Sequence, residues 1–156
     1  MKTKTEQAFQ FKQFSVNQEK CGMKVGTDGI LLGAWADLTD VGRALDIGTG
    51  TGLIALMLAQ RAPQTMVTAV EIDADSCHQA GENFEHSPWS ERLNLIPSSI
   101  QDFCKKTEKV YDLIVSNPPF FTGGTFSSSH NRQMVRHTVK LPHGDLLASV
   151  RKLLSP

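Results

Sequence analysis

The sequence predicts an α/β fold in which a parallel sheet is covered by helices on both faces. Three observations carry that prediction. Short apolar runs alternate with helix-length segments from Arg43 onward. A glycine-rich turn, Gly48–Gly52, joins the first of these runs to an apolar helix. The next run ends in an acid, Glu71, 23 residues after Gly48. Such alternation makes a parallel sheet and puts ligands at the carboxyl ends of its strands.

Residues 1–20 are polar with scattered phenylalanines and read as a loose lead-in. After the turn Val25–Asp28, a short buried helix is expected over Gly29–Ala36, with Ile30, Leu31, Leu32 and Trp35 apolar. Strands are expected at Arg43–Ile47, Met66–Ile72, Leu93–Ile96 and Val110–Ser116. Helices are expected at Leu53–Arg61 and at Ala74–His86, the latter with Cys77, Ala80 and Phe84 at helical spacing. A short helical segment is expected at Ser99–Lys106. A final helix is expected at Pro142–Leu154, with Leu146, Leu147, Val150 and Leu154 on one side. The stretch Phe120–Leu141 is polar and aperiodic, and a loop of that length is usually functional.

The 156 residues suffice for one domain with a real core. No apolar run approaches the roughly 20 residues of a membrane span, and Met1–Phe14 lacks the apolar centre of a signal peptide. The expected location is therefore the cytoplasm. Cys21, Cys77 and Cys104 are odd in number and lack a C-x-x-C spacing, so neither a disulfide framework nor a metal site is expected. The formal net charge is zero but unevenly spread. The balance is +2 over the first 36 residues, −7 over Asp37–Asp102 and +4 over Phe121–Pro156. Basic ends flanking an acidic middle suit an anionic polymer, or are simply solvated faces.

Two motifs carry chemistry. In the first, Ala44-Leu-Asp46-Ile runs into Gly48-Thr-Gly50-Thr-Gly52-Leu53. Glycines let the chain turn sharply and let a ligand approach the backbone. Glu71 at the following strand end can accept hydrogen bonds from ribose hydroxyls. A dinucleotide site competes with this reading, but it wants a small residue where Leu53 stands and has no need of Asp46. S-adenosylmethionine, with an ammonium and a carboxylate in place of phosphates, suits the pattern better. In the second motif the fourth strand ends in Ser116-Asn117-Pro118-Pro119-Phe120. Proline at 118 drives Asn117 out of helical space, and the two prolines stiffen the chain beyond it. An aromatic at 120 offers a stacking face for a planar base. The Asn117 side-chain oxygen and the Pro118 carbonyl can accept both N–H groups of an exocyclic amine. That aims the nitrogen lone pair, and the gain comes from positioning and fixed dipoles.

In this order the two motifs resemble those of the class I amino-methyltransferases, with a Rossmann-like sheet. Lys24-Val-Gly-Thr-Asp-Gly-Ile-Leu-Leu-Gly33-Ala-Trp35, together with Ser87-Pro88-Trp89 and Glu91-Arg92, is similar to the bacterial tRNA1(Val) (adenine(37)-N6)-methyltransferases, from about Phe9 to Pro156. The resemblance implies that S-adenosylmethionine is the cofactor and tRNA the substrate. Asp46, Gly48 and Gly50 would hold the cofactor's amino-acid end, Glu71 the ribose and Ile72 its adenine. Ser99 and Ile100 would border that adenine, although relatives often carry an acid where Ser99 stands, with Asp102 three residues on here. Lys24 and Thr27 would close over the site. Asn117, Pro118 and Phe120 would receive the target base, with Asn117 also reaching the cofactor. Arg132, Arg136 and Lys140 would contact RNA phosphates, and His130, His137 and His143 are read as loop or RNA-contact residues rather than metal ligands.

The class I sheet has seven strands in the order 3-2-1-4-5-7-6, of which four are visible, and the chain stops where the fifth should begin. A sheet truncated before strands 5–7 is therefore expected, within a single catalytic domain over residues 1–156. A full domain is expected to be a monomer, with neither membrane nor metal partners. Here Tyr111–Val115 would become an unprotected edge, which favours self-association and low activity. A clean monomer by light scattering with a cooperative melt would count against that. Asn-Pro-Pro-aromatic also serves guanine N2 in ribosomal RNA and glutamine amides in proteins, and a fragment that binds cofactor or RNA without turnover is a further alternative.

Overall fold

The computed structural model describes residues 8–119 and 141–156. It opens with a small antiparallel hairpin, β1 (Phe9–Gln10) and β2 (Ser15–Val16). The expected loose lead-in is thus docked over its described part. Phe14 and Val16 are buried, and the Phe14 ring meets Trp89 edge-on at 5.5 Å between centroids. The scattered phenylalanines are the cause, because Phe9, Phe11 and Phe14 stack into one apolar group that needs cover.

Helix α1 (Thr27–Trp35) begins two residues before the expected start. Its fully buried residues are Gly29 and Gly33, with Ile30 and Leu32 half-buried against the core, whereas Leu31 is 60% exposed and Trp35 87%. The glycines let α1 lie close on α2 (Leu53–Arg61), since a Cβ on Gly33 would stand 2.6 Å from Met57 Sδ. With the glycine face inward, Leu31 and Trp35, one turn apart, face outward.

The main sheet is parallel throughout. It contains β3 (Arg43–Ile47), β4 (Met66–Glu71), β5 (Leu93–Pro97) and β6 (Leu113–Ser116), in the order β5-β4-β3-β6. This is the 3-2-1-4 part of the order the resemblance implies. Strand alternation divides the core in two. Ala44 joins the cluster under α1, α2 and α3 (Ala74–Glu85), whereas Leu45 and Ile47 join the one under α4 (Ile100–Lys106) and α5 (His143–Leu153). α2 is apolar nearly all round because it is buried nearly all round, from Leu53 to Ala59. Two arginines close helix ends. Arg61 Nη1 donates to Gly33 O and Ala36 O at the end of α1. Arg92, from a 3₁₀ turn before β5, donates to Ala59 O, Ala62 O and Thr65 O at 2.6–2.9 Å.

The fourth strand is shorter than the expected Val110–Ser116. Asp112 lies just before the strand, its N–H donating to Arg43 O at 2.9 Å and its Oδ2 accepting from Gly42 N and Arg43 N at 2.9 and 2.8 Å. Tyr111 turns its backbone the other way, with its N–H donating to Leu153 O and its carbonyl accepting from Ser155 N at 2.8 and 2.9 Å. Leu154 is thereby a parallel bridge partner of Tyr111. The expected bare edge is covered at that end, while among the described residues no strand pairs the outer side of Leu113–Ser116. No described helix is long and apolar enough to cross a membrane.

Candidate active site

The carboxyl ends of β3, β4, β5 and β6 open into one cleft of about 620 Å³, a size suited to a nucleoside-sized ligand. Gly48 and Gly50 line it from the first strand end, Glu71 and Ile72 from the second, Ser98 to Gln101 from the third and Ser116 to Pro119 from the fourth. The start of α5, at Leu141–His143, completes this side.

The glycine loop has a defined shape. Gly48, Gly50 and Gly52 all have positive φ (71°, 56° and 85°), a region that only glycine enters at little cost. Gly48 N donates to Val70 O at 2.8 Å, binding the loop to the second strand. Gly50 N donates to Glu71 Oε2 at 2.9 Å, while Glu71 Oε1 accepts from the Ile72 and Asp73 amides, both at 2.9 Å. Around Gly48 and Gly50 no described residue beyond their chain neighbours comes within 4 Å of where a Cβ would lie, which leaves room for ligand atoms against the backbone.

Asp46 is placed differently from the expectation of direct cofactor contact. It is fully buried, on the α2 side of β3, and is absent from the cleft wall. Thr49 Oγ1 donates to its Oδ2 at 2.6 Å, whereas Oδ1 has no hydrogen-bond partner among the described residues. Burial pushes its carboxyl up to about 6, offset in part by Thr49 and the nearby Ala55 amide. Asp46 thus holds the loop from beneath.

Ile72 is half exposed on the cleft wall and offers an apolar face. Ser99 lines the cleft and caps α4, its side chain accepting from Asp102 N at 3.1 Å, with Ile100 buried beside it. Asp102 itself points to solvent and pairs with Lys105. Asn117 and Pro118 lie in the same cleft, and Ser116 Oγ donates to Ile47 O at 2.9 Å, joining their strand end to the glycine-loop strand. The Asn117 amide nitrogen is 3.6 Å from where a Gly29 Cβ would be, so the start of α1 packs behind it. Lys24 and Thr27 are exposed and off the cleft wall, because α1 already begins at Thr27; Lys20–Met23 form that wall instead. Phe120, His130, Arg132, Arg136, His137 and Lys140 lie outside the described residues.

The cleft is acidic. Glu71, Asp73 and Asp75 line it, and the Lys20 ammonium pairs with Glu82 at 2.7 Å. Cys21, on the wall, is pushed up to about 11, first by burial and then by those three carboxylates against a favourable Ser76 contact. Cys77 is raised to about 11 by burial, Glu71 and Asp73. Both thiols stay protonated at neutral pH. No group of three or more His, Cys, Asp or Glu suited to a metal occurs among the described residues. Sequence reading missed Lys20–Met23 and the side chains of α3 that hold them. Asn17 and Asn83 are 66 positions apart, so no local pattern announces their contact.

Comparison with known proteins agrees with this geometry. The model of the methyltransferase small domain family matches residues 24–152. A tRNA1(Val) (adenine(37)-N6)-methyltransferase of Aeromonas hydrophila is 53% identical over 95% of this chain and 62% of its own length. One of Trichodesmium erythraeum is 54% identical over 94% of this chain and likewise 62% of its own. The chain thus spans about 62% of the length of these curated relatives. Among solved structures, TrmN from Thermus thermophilus superposes with a TM-score of 0.54 at 25% identity, over 73% of this chain and 30% of that one. Cofactor-bound Rv0187 from MTB gives 0.55 at 24%, over 64% and 47%, a likeness of fold. The matched fold, the glycine loop and the strand-end cleft converge on one conclusion: the chain belongs to the methyltransferase small domain family.

Proposed function

We propose that this chain is the catalytic part of an S-adenosylmethionine-dependent enzyme that methylates the exocyclic N6 of adenine in tRNA, at position 37 as its relatives' names state. One observation carries the reading: Asn117-Pro118-Pro119 ends the strand beside the glycine loop and shares its cleft with Gly48, Gly50 and Glu71.

The cleft suits the cofactor. Its carboxylates favour a cation, and its two positive-φ glycines leave room against the backbone. Glu71 accepts three N–H donors, which leaves about one of its four lone-pair sites for a ribose hydroxyl. Ile72 gives an apolar surface for a purine. When bound, S-adenosylmethionine supplies an electrophilic methyl group. The protein's part is to bind and aim. The Asn117 side-chain oxygen and the Pro118 carbonyl accept the two N–H groups of the adenine amine, which frees its lone pair from the ring and fixes its direction. Phe120 stacks on the base. Arg132, Arg136 and Lys140 take phosphates.

The test is methyl transfer to unmodified tRNA, read by nucleoside mass spectrometry. N6-methyladenosine is expected, falling by about 100-fold in Asn117→Ala, the scale of losing one fixed polar contact to the reacting group. Methylguanosine or methylglutamine products, or an unaffected variant, would overturn the assignment. Charge reversal at Arg132, Arg136 or Lys140 should reduce the salt slope of tRNA binding by about one each.

A further inference from the structure

Between the hairpin and α1, residues 17–23 form a strap along α3 whose end becomes a wall of the cleft. We propose that Asn83 is a positioning residue that ties this strap to the glycine loop, so that two walls of the cofactor cleft order as a unit. The proposal rests on the cofactor reading above.

Asn83 is 2% exposed, in the last full turn of α3. Its Oδ1 accepts from Asn17 N at 2.9 Å. Its Nδ2 donates to Asn17 O at 2.9 Å and to Thr51 O at 2.8 Å. One side chain thus closes both backbone groups of the strap's first residue and a carbonyl inside the glycine loop. Only a primary amide offers an acceptor and two donors in this arrangement. A carboxylate would set its oxygens against two carbonyls.

The surroundings make this a junction rather than a lone buried bond. The next residue, Phe84, packs under the same loop, with its ring 2.5 Å from where a Gly52 Cβ would stand. One turn back, Gln79 is wholly buried, and its Oε1 accepts from Lys20 N at 3.1 Å. Gln79 holds the strap but makes no bond to the loop; Asn83 holds both. When one wall loosens, the other loses its shared anchor.

Hydrogen exchange by mass spectrometry on the 156-residue chain, with S-adenosylhomocysteine as probe, tests this. In the wild type the ligand should slow exchange at 48–53 and at 17–23 together. Without ligand, Asn83→Asp should speed both segments, and Gln79→Ala only the strap. The dissociation constant for the probe should rise about tenfold in Asn83→Asp, the scale of losing one or two buried hydrogen bonds. Ligand protection confined to 48–53, or an unchanged loop in Asn83→Asp, overturns the proposal. Because residues 20–23 themselves line the cleft, the variant comparison without ligand decides. If Asn83→Asp fails to fold, Asn83→Ser, which keeps one hydrogen-bonding group in a smaller side chain, takes its place, with the same outcomes supporting or overturning the proposal. A probe that protects neither segment overturns the cofactor reading, and the proposal with it.

Discussion

Gly52→Ala isolates two costs at one atom. Gly52 is the N-cap of α2 with φ of 85°, and an L residue there pays about 1–2 kcal/mol for the left-handed backbone. The added methyl would stand 2.5 Å from Phe84 Cε1, 3.2 Å from Cζ and 3.3 Å from Cδ1. Phe84 is 4% exposed and its ring is rigid, so the overlap must move α3 or the loop. Overpacking of that kind costs about 1–3 kcal/mol. Gly33→Ala in α1 is the contrast. Its methyl meets mainly the movable end of Met57, Sδ at 2.6 Å and Cε at 3.2 Å, with Met57 Cβ at 3.1 Å needing only a small shift, and alanine gains about 1 kcal/mol of helix propensity. Chemical unfolding should show Gly52→Ala losing about 2–5 kcal/mol and Gly33→Ala much less. Thermal melting should drop by about 5–15 °C for the former. Phe84→Leu in the Gly52→Ala background should recover the packing part and leave the backbone part, a non-additive pair. Equal losses at the two glycines, or strict additivity with Phe84→Leu, would refute the reasoning.

The other predictions concern single buried groups. The Tyr111 hydroxyl is buried without a hydrogen-bond partner among the described residues, so Tyr111→Phe should raise stability by about 1 kcal/mol in urea unfolding; a loss would show that the hydroxyl is satisfied. Arg92→Lys keeps the charge but cannot reach three carbonyls at once, so it should lose about 1–2 kcal/mol, and an unchanged denaturation midpoint would refute that role. Asp46 titrates near 6 in the folded chain, above its ordinary 3.8, so its contribution to stability is fully present below about pH 4 and is lost as pH rises through 6. Asp46→Asn removes that loss: its stability relative to wild type should climb by about 2–3 kcal/mol between pH 4 and 7, and a flat difference would count against a buried carboxyl.

Legibility in the sequence followed the range of the forces. β3 and α2 match their expected bounds to the residue, because an apolar run followed by a glycine turn and a second apolar run has one way to fold. α3, α4 and α5 differ from expectation by one residue at one or both ends: Ser99 is the cap of α4 rather than its first residue, His86 is the C-cap of α3, and Pro142 and Leu154 cap α5. The glycine loop, Glu71, Ile72 and Asn117 were legible because each stands at a strand end, and the topology gathers strand ends. The docked hairpin, the outward Leu31 and Trp35, and the strap were not. Each depends on a partner 24 or more positions away, such as Met57 for Gly33 or Gln79 for Lys20. Periodicity sees a face, not the surface that face meets. For α1 it favoured the large residues; Ile30 and Leu32 do pack on the core, but the close approach to α2 put Gly29 and Gly33 innermost and left Leu31 and Trp35 outside.

The two acids at neighbouring strand ends show how much one position matters. Asp46 is the penultimate residue of its strand, and Glu71 is the last of its own. Successive side chains on a strand point to opposite faces, and beyond the last residue the ladder no longer dictates direction. Asp46 shares the side of Ala44, under α2, and is sealed among apolar groups with one hydroxyl and a helix start for company. It braces the loop from beneath, and its raised titration point results from that confinement. Glu71 sits where the sheet stops, with three amides gathered on it and one edge open to the cleft. Each acid anchors the same glycine loop, Asp46 through Thr49 and Glu71 through Gly50. The loop is therefore gripped from below and from the cleft side, and Asn83 adds a third grip through Thr51. A backbone with three positive-φ glycines within five residues has many shapes open to it, and these three side chains select one.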